Sequence, residues 1–106
     1  MQDCVASVVF EGRRKGVCVE VAVGVGRPMA VDPRRFACAV RVGDYALPEP
    51  GIFGATDLQA LALALSFSRR LLLGMETDGY RFYIANRPVK IDTVFGMTDL
   101  KAKGTM

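Results

Sequence analysis

The chain has 106 residues, of which 51% are hydrophobic and 24% are charged, and its formal net charge is +3. This length fits one globular domain, and the composition excludes an intrinsically disordered chain. Histidine is absent from the sequence. Its absence removes the commonest general base and metal ligand, and it excludes serine–histidine and cysteine–histidine catalytic sites.

Alternating apolar residues predict strands in the first half of the chain. Residues 4–10 and 17–25 alternate with a period of two, and the basic, glycine-flanked turn 12–16 between them predicts a hairpin. A third strand is predicted over 35–42, and a short one over 45–47 that ends at a proline-rich segment. Consecutive strands joined by short turns favour an antiparallel sheet.

The most strongly signalled element is a helix, predicted over residues 56–73. Thr56 and Gln59 have the spacing of a capping box, in which each side chain accepts a hydrogen bond from the other residue's backbone N–H. The arginines at 69–70 would lie in the last turn, where positive charge is favoured. Gly74 then has the position of a typical helix C-terminus.

This predicted helix is apolar on two sides. One stripe comprises Leu58, Leu61, Leu65, Ser68 and Leu72, and a second comprises Ala60, Leu63, Ala64, Phe67 and Leu71. A sheet of this size covers one stripe, so the other needs a second cover. Either residues 80–106 fold over it, or a second copy of the chain packs there about a two-fold axis. In the second case Leu63, Phe67 and Leu71 form the contact.

Two further strands are predicted after the helix, over 80–85 and 89–95, separated by an Asn-Arg-Pro interruption. The polar tail, residues 98–106, is expected to fray. The element order predicts a single α+β domain over residues 1–97. Its antiparallel sheet of four to five strands packs on one long helix, in two layers.

Three short motifs add a resemblance to a known family. They are a Gly-Arg-Pro segment at 26–28, an aromatic-x-Cys segment at 36–38, and a Gly-x-x-x-Leu-Gln-Ala-Leu helix start at 54–61. Together they resemble a family of small uncharacterised bacterial domains, over residues 17–72. That family usually has aspartate where this chain has Thr56, and either side chain serves as a helix N-cap. The resemblance implies the fold and no activity, substrate or cofactor.

The three cysteines bear on location and reactivity. Cys4, Cys18 and Cys38 form no Cys-x-x-Cys pair, and the N-terminus lacks the layout of a signal peptide. Two arginines and two serines interrupt the apolar run 58–73, so no membrane span is predicted. We therefore expect a cytoplasmic protein with reduced thiols. Cys38 lies on a predicted core face and is expected to be inert, whereas Cys18 beside Glu20 is a candidate reactive thiol.

No metal site and no cofactor are predicted. The cysteines are too dispersed for a zinc site, and no spacing pairs the carboxylates on one face. The glycine-rich segment 24–29 lacks the third glycine and the following helix of a dinucleotide fingerprint. The preferred function is therefore a non-enzymatic interaction module that forms a homo-oligomer, as a dimer, or docks on another protein.

Two alternative functions stay open. Basic residues that converge would bind a nucleic-acid backbone, although no aromatic residues interleave with them; these residues are Arg13, Arg14, Lys15, Arg34 and Arg35. An enzyme or small-ligand protein would instead need a pocket between sheet and helix. The candidate residues for that pocket are Arg27, Tyr45 and Gln59.

Overall fold

The computed structural model describes residues 4–96 as two antiparallel sheets and one long helix that packs on both. The strands are β1 (Cys4–Arg14), β2 (Val17–Gly26), β3 (Met29–Asp32), β4 (Arg35–Cys38), β5 (Val40–Val42), β6 (Tyr45–Ala46), β7 (Ile52–Gly54), β8 (Arg81–Ile84) and β9 (Arg87–Val89). The helices are α1 (Asp57–Thr77) and α2 (Ile91–Val94). The predicted α+β class is confirmed, while the predicted frayed tail lies outside the described residues.

The strands divide between a six-stranded sheet, in the order β6-β5-β2-β1-β8-β9, and a three-stranded sheet, in the order β3-β4-β7. The prediction of one sheet with four to five strands therefore missed the second sheet. The predicted strand 35–42 breaks at Ala39, whose carbonyl accepts a hydrogen bond from the Gly26 N–H at 2.8 Å. β4 and β5 therefore pair in different sheets. β3 lies between Pro28 and Pro33, where no strand was predicted.

Two tight hairpins explain further differences from the predicted boundaries. Lys15 and Gly16 both have positive φ, 48° and 78°, as a type I′ turn requires. β1 therefore continues to Arg14, and the predicted five-residue turn shrinks to two residues. Ala85 and Asn86, with φ of 50° and 66°, form the equivalent turn between β8 and β9.

The second hairpin and α2 correct the prediction for the end of the chain. The Asn-Arg-Pro segment starts a new strand rather than interrupting one, and Pro88 is tolerated because β9 lies at the sheet edge. The predicted strand 89–95 is wrong, because Ile91–Val94 is helical. The Ile91 side chain is buried, and its N–H donates to Glu76 Oε2 at 3.1 Å.

The start of α1 confirms the main cap. The Gln59 N–H donates to Thr56 Oγ1 at 3.0 Å. The reciprocal bond differs from the capping box, because Gln59 Oε1 accepts from the N–H of Ala55 and not from that of Thr56. Gln59 therefore fixes the chain one residue before the cap, where β7 leads into the helix.

The end of α1 lies beyond the predicted stop. The helix continues through Gly74 to Thr77, and Gly79, with φ of 102°, follows in the turn that ends it. The arginines at 69–70 consequently lie in the body of the helix. Arg69 Nε donates to Asp92 Oδ1 at 2.7 Å, which ties α1 to α2.

α1 buries a narrow ridge of mostly small residues, which we call the α1 ridge: Ala60, Ala64, Ser68 and Leu72. The ridge takes two residues from each predicted stripe, so neither stripe faces the sheets as a whole. It packs on a core that includes Phe10, Val21, Val23, Val25, Cys38, Val40 and Phe82. Small ridge residues let the helix approach the strands closely, and the larger leucines lie to either side.

By length and composition α1 is also apolar enough to cross a membrane, with a mean hydropathy of 1.2. A core helix of a soluble protein passes the same test, and α1 packs on two sheets. Only 22% of its most apolar window is buried within the chain. α1 therefore has apolar surface that residues 4–96 cover only in part.

Candidate interaction surfaces

The predicted contact residues Leu63, Phe67 and Leu71 lie on the side of α1 nearest β6, and we call them the β6 flank. Leu63 is 43% exposed, and Phe67 and Leu71 are half-buried. The Tyr45 ring, on the edge strand β6, lies 5.8 Å from the Phe67 ring and is itself 51% exposed. The β6 flank is thus a small apolar patch that Tyr45 partly covers and partly extends.

The α2 region packs against the other side of α1, while β8 and β9 extend the larger sheet. Asp92 of α2 pairs with Arg69, and Val94 and Phe95 face Leu65 across a cavity. The predicted alternative, in which residues 80–106 cover the stripe containing Phe67, therefore does not apply to residues 80–96. That stripe is covered in part by Tyr45 instead.

The cavity beside α2 is a site that the sequence did not reveal, and we call it the β1 cleft. It has a volume of about 270 Å³ and lies between the helices and the first two strands. Its lining residues are Ala6, Ser7, Val8, Val23, Val25, Leu65, Ser68, Val94 and Phe95. Strand alternation placed the valines on the core face, but α2, which closes one wall, was predicted as a strand.

The β1 cleft lies beneath a sheet edge that has no partner strand within residues 4–96. β8 pairs with β1 from Glu11 to Arg13, and among the described strands β2 is the one that pairs with the segment Ala6–Phe10. That segment carries no charged residue and no proline. Charges and prolines are the usual means by which proteins protect an edge strand from pairing with another chain.

The hydrogen-bond pattern identifies the backbone groups that face outward. Arg14 and Val17 close the hairpin and exchange hydrogen bonds, so every second residue back along β1, including Gly12 and Val8, bonds to β2. The residues between them direct their N–H and C=O groups away from β2. At Glu11 those groups meet β8, whereas at Ser7 and Val9 they meet no strand of the described fold.

The first group of basic residues predicted to bind nucleic acid follows β1 into the hairpin, and two of its arginines contact neighbouring side chains. Arg13 Nη2 donates to Glu11 Oε1 at 2.8 Å, and the guanidinium lies 3.8 Å from the centre of the Tyr83 ring. The hydrogen bond from Arg13 lowers the pKa of Glu11. Arg14 lies over the Tyr80 ring at 4.7 Å. Among these three basic residues, Lys15 is the one at the hairpin tip, and it is exposed.

The second basic group lies in the other sheet. Arg35 Nε donates to Asp32 Oδ2 at 2.8 Å, and its guanidinium lies 4.9 Å from the centre of the Phe53 ring. The backbone N–H of Arg34 donates to the same carboxylate, and both bonds lower the pKa of Asp32. Arg13–Lys15 precede β2, whereas this group follows its far end. β2 is about 30 Å long, and nothing in its course brings the two groups together.

Cys38 and Cys18 differ in burial. Cys38 is buried, its Sγ donates to the Gly26 carbonyl at 3.1 Å, and burial raises the pKa of its thiol. This confirms Cys38 as a core residue. Cys18 is exposed, and a hydrogen bond with Glu11 raises the pKa of its thiol. A raised pKa lowers the thiolate fraction at neutral pH, which weighs against Cys18 as a reactive nucleophile.

The structure does not bring the predicted pocket residues together as a site. The Gln59 side chain accepts a hydrogen bond from the Ala55 N–H, and the Tyr45 ring packs on Phe67. Arg27 is exposed between β2 and β3. Two other cavities, of about 610 and 470 Å³, lie along β8–β9 and on the outer sheet face. Neither they nor the β1 cleft are lined by these residues. Residues 4–96 contain no group of three or more His, Cys, Asp or Glu suited to a metal ion.

Comparison of the chain with known protein families, with curated proteins and with solved structures finds no match. The resemblance to small bacterial domains therefore stays a prediction that rests on its three motifs. The case for a function depends on the surfaces described above.

Proposed function

We propose that this chain is a non-enzymatic interaction module that self-associates as a homodimer in the cytoplasm. The observation that carries the proposal is the partial burial of α1. Of its 21 residues, the buried ones are the four of the α1 ridge, and three of those are alanine or serine. Two apolar surfaces are left on either side of the ridge: the β6 flank and the β1 cleft.

The β6 flank carries exposed apolar area that a partner would cover. An aromatic side chain buries about 150–250 Å² when enclosed, so a half-exposed Tyr45 leaves about 100 Å² open. The exposed part of Leu63 adds to this patch. A stable contact buries about 800 Å² per partner, so such a patch suits the centre of an interface with a polar rim.

The oligomeric state in solution tests the proposal. Sedimentation velocity across a range of micromolar concentrations is expected to show a dimer of twice the 11.5 kDa chain mass, in exchange with monomer. The mass should fall on dilution, because the surfaces involved are small. A single 11.5 kDa species at every concentration would refute self-association.

Nucleic-acid binding is kept as a second candidate function because of one observation. Strand register places Arg81 opposite Arg13, next to the hairpin tip that carries Lys15. This end of the larger sheet is therefore more basic than the sequence suggested. Fluorescence anisotropy with a labelled DNA duplex at two salt concentrations tests it. Lys15→Glu should then weaken binding and reduce its salt dependence, and the absence of binding at low salt rejects the candidate.

A further inference from the structure

We infer that the β1 cleft binds a small apolar molecule that carries one hydrogen-bond donor, an N–H or O–H group on an aromatic or aliphatic body. The inference goes beyond the proposed self-association and does not depend on it. It assigns to the cleft a ligand that fills the space between the helices and the larger sheet. It also names Ser68 as the residue that accepts the hydrogen bond of the ligand.

The volume of the cleft sets the size of the ligand. That volume is about 270 Å³, whereas a closed apolar cavity of about 150 Å³ is large enough to bind benzene. The cleft therefore suits a ligand of about ten non-hydrogen atoms. Pockets for drug-sized ligands begin at about 300 Å³, so a nucleotide or a larger cofactor is too big for this site.

Apolar side chains form most of the lining of the cleft. Seven of its nine lining residues are apolar, and none is charged. The strands contribute three valines from their helix-facing side, and α1 contributes Leu65. Such a lining favours an apolar occupant, because removing apolar surface from water is favourable. A buried water molecule is a poorer occupant, since it needs two to four polar partners.

Ser68 supplies the polar group of the site. It is fully buried on the α1 ridge, and it lines the cleft. Its hydroxyl donates to the Ala64 carbonyl at 2.9 Å. Because a serine hydroxyl has one proton and two lone pairs, Ser68 Oγ can accept a further hydrogen bond while it keeps this one, but it cannot donate another. The ligand must therefore supply the donor, which excludes an ionised carboxylate or an ether as its polar group.

The wall that α2 gives to the cleft is held in place by the fold itself. Asp92 of α2 accepts a hydrogen bond from Arg69 of α1 at 2.7 Å, and the Ile91 side chain is buried. Val94 and Phe95, which follow along the same short helix and its end, line the cleft. A site that is largely formed in advance needs little ordering when its ligand binds. Val94 is 37% exposed, so the cleft reaches the surface beside it.

Indole and indene are matched probes for this inference. Both are planar bicyclic molecules of nearly the same shape and of the size that the cleft suits, but only indole carries an N–H donor. The chain contains no tryptophan, so the emission of indole can be followed as protein is titrated into a fixed low concentration of it. We expect the emission to shift to shorter wavelength, with a dissociation constant of about 1 mM or below. Indene is measured by its displacement of indole.

Ser68→Ala tests the hydrogen bond to the ligand. The change removes the acceptor and keeps the apolar lining, and alanine is a better helix former than serine. A hydrogen bond of ordinary net strength corresponds to about fivefold in a dissociation constant. We therefore expect Ser68→Ala to reduce the preference for indole over indene about fivefold. The small space left by the lost oxygen affects both probes, so the ratio isolates the hydrogen bond.

Val94→Phe tests the position of the site, with Val17→Phe as its matched control. The larger ring takes up part of the cleft, whereas Val17 is an exposed valine at the distant hairpin. We expect Val94→Phe to weaken the binding of both probes about tenfold, because a site that is overfilled must rearrange to admit them. Val17→Phe should leave both dissociation constants unchanged. Far-UV circular dichroism confirms the fold of each variant.

The outcomes separate this inference from the proposed self-association. Absence of indole binding to the wild-type chain overturns the inference, whatever the oligomeric state. A preference for indole that is unchanged in Ser68→Ala overturns the assigned class of ligand. Equal effects of Val94→Phe and Val17→Phe place binding outside the cleft and overturn the site. A monomeric chain that binds the probes in the expected pattern refutes self-association and supports the inference.

Discussion

Gly54 provides the sharpest test of how α1 packs on the smaller sheet. A Cβ atom at this position would lie 2.4 Å from the Ala60 backbone nitrogen and 2.8 Å from the Ala60 Cα. Both are backbone atoms of the first turns of α1, so neither can rotate away. Gly54→Ala therefore forces the helix to move by about 1 Å from β7, at a site where Ala60 is fully buried.

Overpacking of a dense core typically costs about 1–3 kcal/mol. We expect Gly54→Ala to lower the free energy of unfolding by about 3 kcal/mol, because the added Cβ meets backbone atoms rather than a movable side chain. For a chain of this size, that loss lowers the midpoint of thermal unfolding by roughly 10–20 °C. Urea unfolding followed by far-UV circular dichroism measures the change, at a fixed protein concentration because self-association would add to the apparent stability.

Gly74→Ala is the matched control, since it makes the same chemical change within α1 itself. No atom lies within 4 Å of the Cβ that it would add, and Gly74 is within α1. Alanine in a helix interior is expected to stabilise by about 0.5–1 kcal/mol. A Gly54→Ala variant as stable as the wild type would refute the close packing. A destabilised Gly74→Ala would show that the helix ends at Gly74, as its sequence suggests.

Two further predictions concern single residues. The Cys38 thiol should react with Ellman's reagent only after unfolding, because burial raises its pKa, and rapid reaction in the native state would contradict its burial. The pKa of Asp32 is lowered in the folded state. The stability that Asp32 contributes is therefore present above its unfolded pKa of about 3.9 and is lost as the pH falls through the folded pKa. Midpoints of urea unfolding that respond equally to acid in the wild type and in Asp32→Asn would contradict this.

Local signals in the sequence predicted the features that depend on neighbouring residues. Thr56 caps α1 as expected, because an N-cap needs only a hydroxyl three residues before the N–H that it accepts from. The alternation of β1 and β2 predicts that one face of each strand is apolar, and Phe10 and Val21, which lie on such faces, are buried. Cys38 was placed in the core for the same reason.

Features that depend on distant residues were not predictable in this way. The break at Ala39 arises because the carbonyl of Ala39 bonds to Gly26, on another strand, and the chain then changes sheets. α2 was read as a strand because Val89, Ile91 and Val94 are β-branched. The contact of Ile91 with Glu76, which stabilises the start of that helix, joins residues 15 positions apart. The pairing of β8 with Glu11–Arg13 of β1 likewise joins distant parts of the chain.

The composition of α1 explains why its buried face was misassigned and why self-association is nonetheless expected. An apolar stripe on a helix is recognised by its large apolar side chains, so the leucines defined the two predicted stripes. A helix that approaches its sheets closely must place small residues at the contact, and Gly54 permits that approach at Ala60. The leucines are then displaced to either side of the ridge, where one chain covers them only in part. A close-packed helix that is also rich in leucine therefore leaves apolar surface on both sides of its contact, and a second copy of the chain is the cover that we propose for it.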